Sequence, residues 1–495
     1  MKLIEFYVNN FRSISSVKLT GLGGLNIIVG YNGYGKTNLL TAIYLFIKNL
    51  GAGLEKRNIE DRNGEYMLLW RDYDVSKLIK IGGVIEFNEQ EVFRNTGRNG
   101  KIRVEVVNTL QYNNKFIEWS LESLSINGGT PTKDDLEIVK QLFSFASQAV
   151  EYVPIFDQYY FDSTMKRMID MNRSPINMKR KWYDFVNLVS NTIPEIKGLE
   201  FWDGGKLVLN IQNLPIYIDL AASGFQRVIL MLFILWLSGS KVLLLEEPEV
   251  NMYPTLQSKI MRLIKEWTNN DVFQVFVTTH SPYIVSSSVD SYVIMRKKNG
   301  VSSAISVRPE ERLKKVLGLL KANISDVLFN RIIILASDLV EPPVIENWLK
   351  KIGLNRQELG ITIFKASNDI ELQLWLSLKN ALDLNVIFLG LCEKIDNHLR
   401  EFCVPLNREV ENYYTKAKLI EVIKNFGIYP DEKELRDLTK EETYRWLVNV
   451  FKKRGIDYDK FRGSIGELVT TEDGAEMPKE MEILANKIKS FEETI

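Results

Sequence analysis

One eight-residue stretch constrains this chain more than any other. Gly30-Tyr31-Asn32-Gly33-Tyr34-Gly35-Lys36-Thr37 fits the pattern G-x-x-x-x-G-K-[ST], and it has the context that pattern needs. Before it, Leu25 to Val29 (LNIIV) is a short apolar run of the kind that fills a sheet covered on both faces. After it, NLLTAIYLFIKNL continues with helical spacing. Such glycines let the backbone curl until its N–H groups face phosphates. Lys36 then reaches the β- and γ-phosphates, and Thr37 offers its hydroxyl to Mg²⁺. A chance glycine turn would lack the strand and the helix.

Two further segments carry acids and a histidine to strand ends. In LLLEEPE at 243–249, the apolar residues Val242 to Leu245 deliver Glu246 and Glu247 at a carboxyl end, where α/β sheets bind ligands. Glu246 is placed to hold the Mg²⁺ water shell and Glu247 to polarise an attacking water. The bland alternative is a solvated cluster of Glu246, Glu247 and Glu249 at a helix N-terminus; Pro248 and the apolar run argue against it. VFVTTHSPYIV at 275–285 sets His280 after another apolar strand, in position to sense a γ-phosphate. A lone histidine is more often structural, but this one stands at a strand end.

With 495 residues, the chain is expected to form two or three domains. The 45% apolar and 25% charged residues exclude wholesale disorder and a fibrous fold. Sixty-three Lys+Arg balance sixty-three Asp+Glu, so only a local patch would bind nucleic acid. Cys392 and Cys403 are too few for a disulfide scaffold or a Cys-rich zinc site, and fit a reducing compartment. His280 and His398 leave little for a His-based metal centre. The N-terminus alternates like a strand and has no signal-peptide h-region. The longest apolar run, VILMLFILWL at 228–237, spans roughly 15 Å as a helix, about half a bilayer core. A cytoplasmic protein with no membrane partner is expected.

The order of elements predicts an α/β head at 1–325. An antiparallel meander is expected at about 80–130 and a helical lid at about 134–195. A smaller α/β domain with a parallel sheet is expected at 326–495, from the βαβαβ alternation that begins at RIIILAS.

Together, these motifs resemble the ABC-type P-loop ATPase heads shared by RecF, SMC and OLD (overcoming lysogenisation defect) proteins. AASGFQR at 221–227 resembles the OLD-like signature, and Asn10-Phe11-Arg12-Ser13 the family's N-F-R-S. The resemblance implies ATP and Mg²⁺ as ligands, with Arg12, Asn32, Gly33, Gly35, Lys36, Thr37 and Asn38 at the nucleotide. It also implies that Ser223 and Gly224 reach the γ-phosphate bound to a second subunit, in a homodimer or higher homo-oligomer formed through the heads. EEPEVNMYP departs from EEPExxLHP at Asn251 and Tyr253, which bears on switching geometry. Gln158 is the candidate for the glutamine-bearing loop. No long heptad run interrupts the head, unlike the coiled-coil members.

The resemblance continues into the second domain. VLGLLKANISDVLFNRIIIL looks like the OLD connector to a Toprim nuclease, and Arg408 to Tyr414 (REVENYY) like its R-E-I-E-N-Y-L. A Toprim nuclease uses Glu-Gly after one strand and Asp-x-Asp after another to hold divalent metals. Here Ala336 and Ser337 end the first strand, and Gly390 and Cys392 stand at the two aspartate positions. The expectation is a degenerate, inactive Toprim-like module. The alternative is a nuclease whose site is rebuilt from Asp338, Glu341, Glu393, Asp396 and Glu411, and a third reading is a scaffold with little ATP turnover. Two basic clusters offer phosphate contacts or simply solvated faces: Lys166, Arg167, Arg173, Lys179, Arg180 and Lys181, then Lys452, Lys453, Arg454, Lys460 and Arg462. The role implied is in DNA transactions or defence against mobile elements, with an effector protein as partner.

Overall fold

Leu25–Val29 is buried along its whole length, which demands neighbours on both sides and cover on both faces. Gln274–Thr278 and Ser291–Lys298 flank it in parallel. Beyond Gln274–Thr278 come Val242–Glu246 and then Val150–Val153, also parallel. On the other side the sheet turns antiparallel. Lys2–Phe11 pairs with Ile14–Leu19 and Ile79–Phe87, followed outward by Ile102–Asn113, Phe116–Ile126 and Asn58–Glu60. All belong to one twelve-stranded sheet, so the meander expected near 80–130 extends the main sheet. Ile102–Asn113 buries Val104, Val106, Asn108 and Leu110, the period of two that one covered face requires.

The computed structural model describes residues 1–61, 65–113, 115–155, 157–173, 176–202, 205–237, 241–270, 273–309, 311–366, 368–392, 397–406, 408–471 and 474–493. The chain divides into two compact units, Met1–Glu310 and Glu311–Ile495. That division falls ahead of the boundary at 325/326 read from the sequence, because helices Glu311–Leu319 and Ile324–Leu328 group with the second unit.

In the first unit, the expected lid contains helices Lys133–Gln148, Gln158–Arg173 and Ile176–Thr192, but strand Val150–Val153 interrupts them. Ile196–Trp202, Lys206–Ile211 and Leu214–Tyr217 form a separate three-stranded antiparallel sheet. It leads into helix Ser223–Leu237. Val228 to Leu235 of that helix are all buried, which accounts for the long apolar run. Among the described residues, no helix is long and apolar enough to cross a membrane.

The second unit is built on four parallel strands in the order Ile361–Lys365, Ile332–Ala336, Asn385–Gly390, Cys403–Pro405. Helices Pro342–Lys351 and Asp369–Leu382 supply crossovers. Trp348, Trp446, Phe451 and Tyr458 anchor the core between this sheet and the C-terminal helices.

Cys392 and Cys403, expected as thiols, are instead joined by a disulfide, with Cα atoms 5.8 Å apart. The reason is topological. Asn385–Gly390 and Cys403–Pro405 are parallel neighbours, so strand pairing returns Cys403 to the end of its partner. Closing a loop of this size stabilises a fold by roughly 2–3 kcal/mol. Cys392→Ser should therefore lower the unfolding midpoint of the oxidised second unit by roughly 5 °C, and leave that of the reduced protein unchanged. Calorimetry with and without dithiothreitol tests this; equal midpoints in the oxidised samples would show that the sulfurs are not joined.

Candidate functional site

The buried strand Leu25–Val29 ends at Gly30, and the loop closes onto helix Lys36–Lys48. Gly35 caps that helix in the left-handed region at φ 92°. A Cβ there would lie 2.8 Å from both Ser13 Oγ and Ser302 Oγ. Glycine is thus required twice, for conformation and for space. The helix start has no side-chain cap and no acid in its first turn, so its N–H groups and dipole present a positive end. Asn32 and Gly33 are exposed at the loop tip. Lys297, which the motif does not include, donates to Gly33 O at 3.0 Å.

The Lys36 ammonium is buried beneath the loop. It donates to Gly30 O at 3.0 Å and Tyr31 O at 3.3 Å, and lies 2.5 Å from His280 Nε2. Burial depresses its pKa to about 8, although Glu247, Glu249 and Glu246 all favour the charge. His280 is lowered too, by burial and by Lys36, with Glu247 opposing. Its Nε2 is 3.3 Å from Glu247 Oε1. A neutral ring that accepts from Lys36 through Nε2 carries its proton on Nδ1, a tautomer assigned from its partners.

Val242–Glu246 is buried at every position and brings its acids to the same edge. Glu246 Oε1 accepts from Thr37 Oγ1 at 2.5 Å, and Oε2 from the Tyr152 hydroxyl at 2.7 Å. Glu247 sits in the left-handed region at φ 41°, the kind of strain that clusters at functional sites. Its N–H is held by Thr278 O at 3.0 Å. Glu249 serves the turn: it accepts from Thr279 Oγ1 at 2.6 Å and from the His280 N–H at 2.8 Å.

Arg12, at φ 49°, donates through Nη1 to Asn38 Oδ1 at 3.3 Å, and Asn38 donates to Ser13 Oγ at 2.8 Å. The N-F-R-S segment is thereby fastened to the phosphate-loop helix. Ser223 and Gly224 stand elsewhere, beside Asn251. A Cβ on Gly224 would lie 2.2 Å from Asn251 O, so the signature and the segment after the acids are in backbone contact. Asn251 is left-handed at φ 65° and Tyr253 Oη reaches Glu195 at 3.4 Å, so neither acts as a histidine here. Arg227, the last residue of AASGFQR, donates to Glu246 O at 2.9 Å and Glu247 O at 3.0 Å. Tyr160, Ser223, Arg227, Leu230, Glu246 and Asn251 help to line a cleft of about 150 Å³. Gln158 opens the lid helix; its side chain lies outside the described residues.

Lys166, Arg167, Arg173, Arg180 and Lys181 are exposed on the lid helices; the Lys179 side chain lies outside the described residues. Arg167 pairs with Glu151 at 2.9 Å. In the second expected basic cluster, Lys452, Lys453 and Lys460 are exposed, whereas both arginines are engaged in ion pairs. Arg454 and Lys453 are bound by Glu434, and Arg462 is buried against Glu411 and Glu409. Glu411 is fully buried: Arg462 binds both its oxygens, at 2.7 and 2.9 Å, and the Tyr458 hydroxyl donates to it at 2.9 Å. Lys365 pairs with Glu341 and lies 3.9 Å from Asp338. Glu393 and Asp396 lie outside the described residues. Among the described residues, no three His, Cys, Asp or Glu side chains group to hold a metal.

Comparison with known proteins agrees with an ATPase site in the first unit. Residues 1–147 match the family described as "AAA ATPase domain", and residues 140–286 that described as "AAA domain, putative AbiEii toxin, Type IV TA system". The chain is similar to the Septu protein PtuA of Bacillus thuringiensis, at 22% identity over 59% of this chain and 74% of that protein. It also resembles the DNA replication and repair protein RecF of Shewanella pealeana, at 45% identity over 12% of this chain. That match spans only 15% of RecF's own length. Among solved structures, an SMC head bound to the C-terminal winged-helix domain of ScpA aligns at 15% identity and TM-score 0.46, over 63% of this chain and all of that one.

The buried lysine gives a test without nucleotide. Its folded pKa lies below its unfolded value, so between about 8 and 10.5 the unfolded chain binds more protons. Stability contributed at this residue therefore rises with pH across that window. Lys36→Met should remove that rise in urea unfolding of the ligand-free protein; identical pH slopes in the two proteins would contradict the buried, charged lysine.

Proposed function

We propose that this chain is an OLD-like ATPase that works as a nucleotide-driven clamp between two copies, with a Toprim-like second unit that has no nuclease activity. One observation carries the ATPase reading. Lys36, Thr37, Glu246, Glu247 and His280 come together at one sheet edge, linked by contacts of 2.5 to 3.3 Å. An uncapped helix start and a desolvated ammonium both gain from a bound polyphosphate. The hydroxyl of Thr37 and the oxygens of Glu246 are hard ligands that suit Mg²⁺. When bound, that ion neutralises charge on the phosphates.

The protein's own part follows from placement. Lys36 and the loop N–H groups orient the β- and γ-phosphates, while Arg12 and Asn38 steady the flank of the site. Glu247 takes the proton of a water aligned with the γ-phosphate, and His280, at the neighbouring strand end, senses the γ-phosphate. Ser223 opens a fifteen-residue helix and is exposed. With Gly224 it completes the site of a second copy. ATP then closes the pair, and hydrolysis releases it.

For the second unit, the strand-end residues Ala336, Ser337, Gly390 and Cys392 offer no carboxylate, and cations already occupy the nearby acids. Arg462 binds Glu411, and Lys365 lies between Glu341 and Asp338. The OLD resemblance and the similarity to RecF favour a role in DNA transactions or defence against mobile elements, executed through an effector protein. Lys166, Arg173, Arg180 and Lys181 are the candidate DNA contacts.

Lys36→Ala should lose nucleotide binding, whereas Glu247→Gln should keep binding and lose turnover by roughly 100-fold or more. Mixing inactive Lys36→Ala with inactive Ser223→Arg should restore part of the activity, because one composite site is intact in the mixed dimer. Equally slow hydrolysis by wild type and Glu247→Gln would overturn the ATPase reading.

Supercoiled DNA should stay uncut with Mg²⁺ or Mn²⁺. Glu411→Ala should destabilise the second unit in urea by roughly 3–5 kcal/mol, by leaving a buried guanidinium without its partner. Cleavage that Glu411→Ala abolishes and Lys36→Ala preserves would establish a nuclease instead.

A further inference from the structure

The two oxygens of Glu246 have different partners. Oε1 faces Thr37 at 2.5 Å; Oε2 is bound by the Tyr152 hydroxyl at 2.7 Å. Tyr152 lies on Val150–Val153, which pairs in parallel with the acid strand in a register that sets Tyr152 opposite Leu244. Side chains two residues apart on a strand share a face, so Tyr152 and Glu246 meet on the side that carries helix Lys36–Lys48. Thr41, one turn beyond Thr37 on that helix, donates to Thr37 O at 2.8 Å. The Tyr152 ring also packs on Tyr44, with centroids 5.8 Å apart. The neighbouring residue reaches the lid: Glu151 accepts from Tyr160 at 3.2 Å and from Arg167 at 2.9 Å, both on helix Gln158–Arg173.

We propose that Tyr152 is a positioning residue for the metal-binding acid, holding Glu246 Oε2 so that Oε1 alone is presented beside Thr37. The proposal rests on the ATP·Mg²⁺ reading of this site and adds a residue that no motif contains. A carboxylate fixed through one oxygen loses no rotational freedom when the other meets a metal, so the hydroxyl contributes to metal affinity without touching the metal. The strand that carries Tyr152 also carries Glu151, so lid helix and acid are registered by adjacent residues.

Tyr152→Phe removes one oxygen and keeps the ring on Tyr44. Mn²⁺ binding to the nucleotide complex, followed by electron paramagnetic resonance, should weaken by roughly tenfold, and half-saturating Mg²⁺ for turnover should rise with it. Nucleotide affinity in EDTA and the unfolding midpoint should stay at wild-type values. Tyr44→Leu loosens the same ring but spares the hydroxyl, and should leave Mn²⁺ affinity within about twofold of wild type. Unchanged Mn²⁺ affinity in Tyr152→Phe overturns the proposal, and so does an equal loss in Tyr44→Leu, which would mean packing alone. A wild-type protein that binds no nucleotide defeats the ATPase reading and this inference together. A wild type that binds and hydrolyses ATP, beside a Tyr152→Phe variant indistinguishable from it, defeats this inference only.

Discussion

The shared register of the central parallel strands is the constraint on which this site depends. Ile28 of the strand before the phosphate loop lies opposite Thr278, and Thr278 lies opposite Glu246. Residues more than two hundred positions apart in sequence therefore end at one edge. The register is secure because these five-residue strands are buried on both faces and their slippage would expose apolar side chains. Everything polar at the edge is then forced into company: an ammonium, three acids and an imidazole share a small volume. Burial at this edge depresses the lysine and, with Lys36 beside it, the histidine, against the pull of the acids.

The second unit meets the same architectural opportunity differently. Its parallel strands also end in a row, but among the described residues Glu341, Glu409 and Glu411 are paired with cations within the protein. Arg462 satisfies Glu411 with two bonds and Glu409 with a third, and it also donates to Asp338 O at 2.6 Å. A guanidinium so enclosed is a structural keystone. Pairs of this kind are costly to break and add little net stability over an apolar core, so their value lies in fixing one arrangement of the surrounding segments.

What could be read in the sequence was what chemistry writes into short windows. Gly30 to Thr37 needs only eight residues, and the two acids after Val242 to Leu245 need only their strand. Tyr152 could not be found that way. Its strand, Val150–Val153, is four residues long and lies in a stretch whose neighbours are helical, so its role exists only through pairing with a strand about ninety residues later. Arg227 was in view within AASGFQR, but its bonds go to backbone carbonyls, which no side-chain pattern announces. The disulfide and the neutralised cluster around Arg454 and Arg462 were missed for the same reason. Spacing along the chain does not reveal which partner a fold returns to a given residue.

The two ends of the twelve-stranded sheet are its shortest members, Asn58–Glu60 with three residues and Val150–Val153 with four. Unpaired backbone along a sheet edge is a template for another strand, and the usual remedy is to make the edge too brief to be copied. A broad sheet of this kind would otherwise be open to pairing with a second chain. Those two terminal strands themselves offer a neighbouring chain only three and four residues to pair with. Contact between copies would then rest on side chains and not on shared backbone hydrogen bonds.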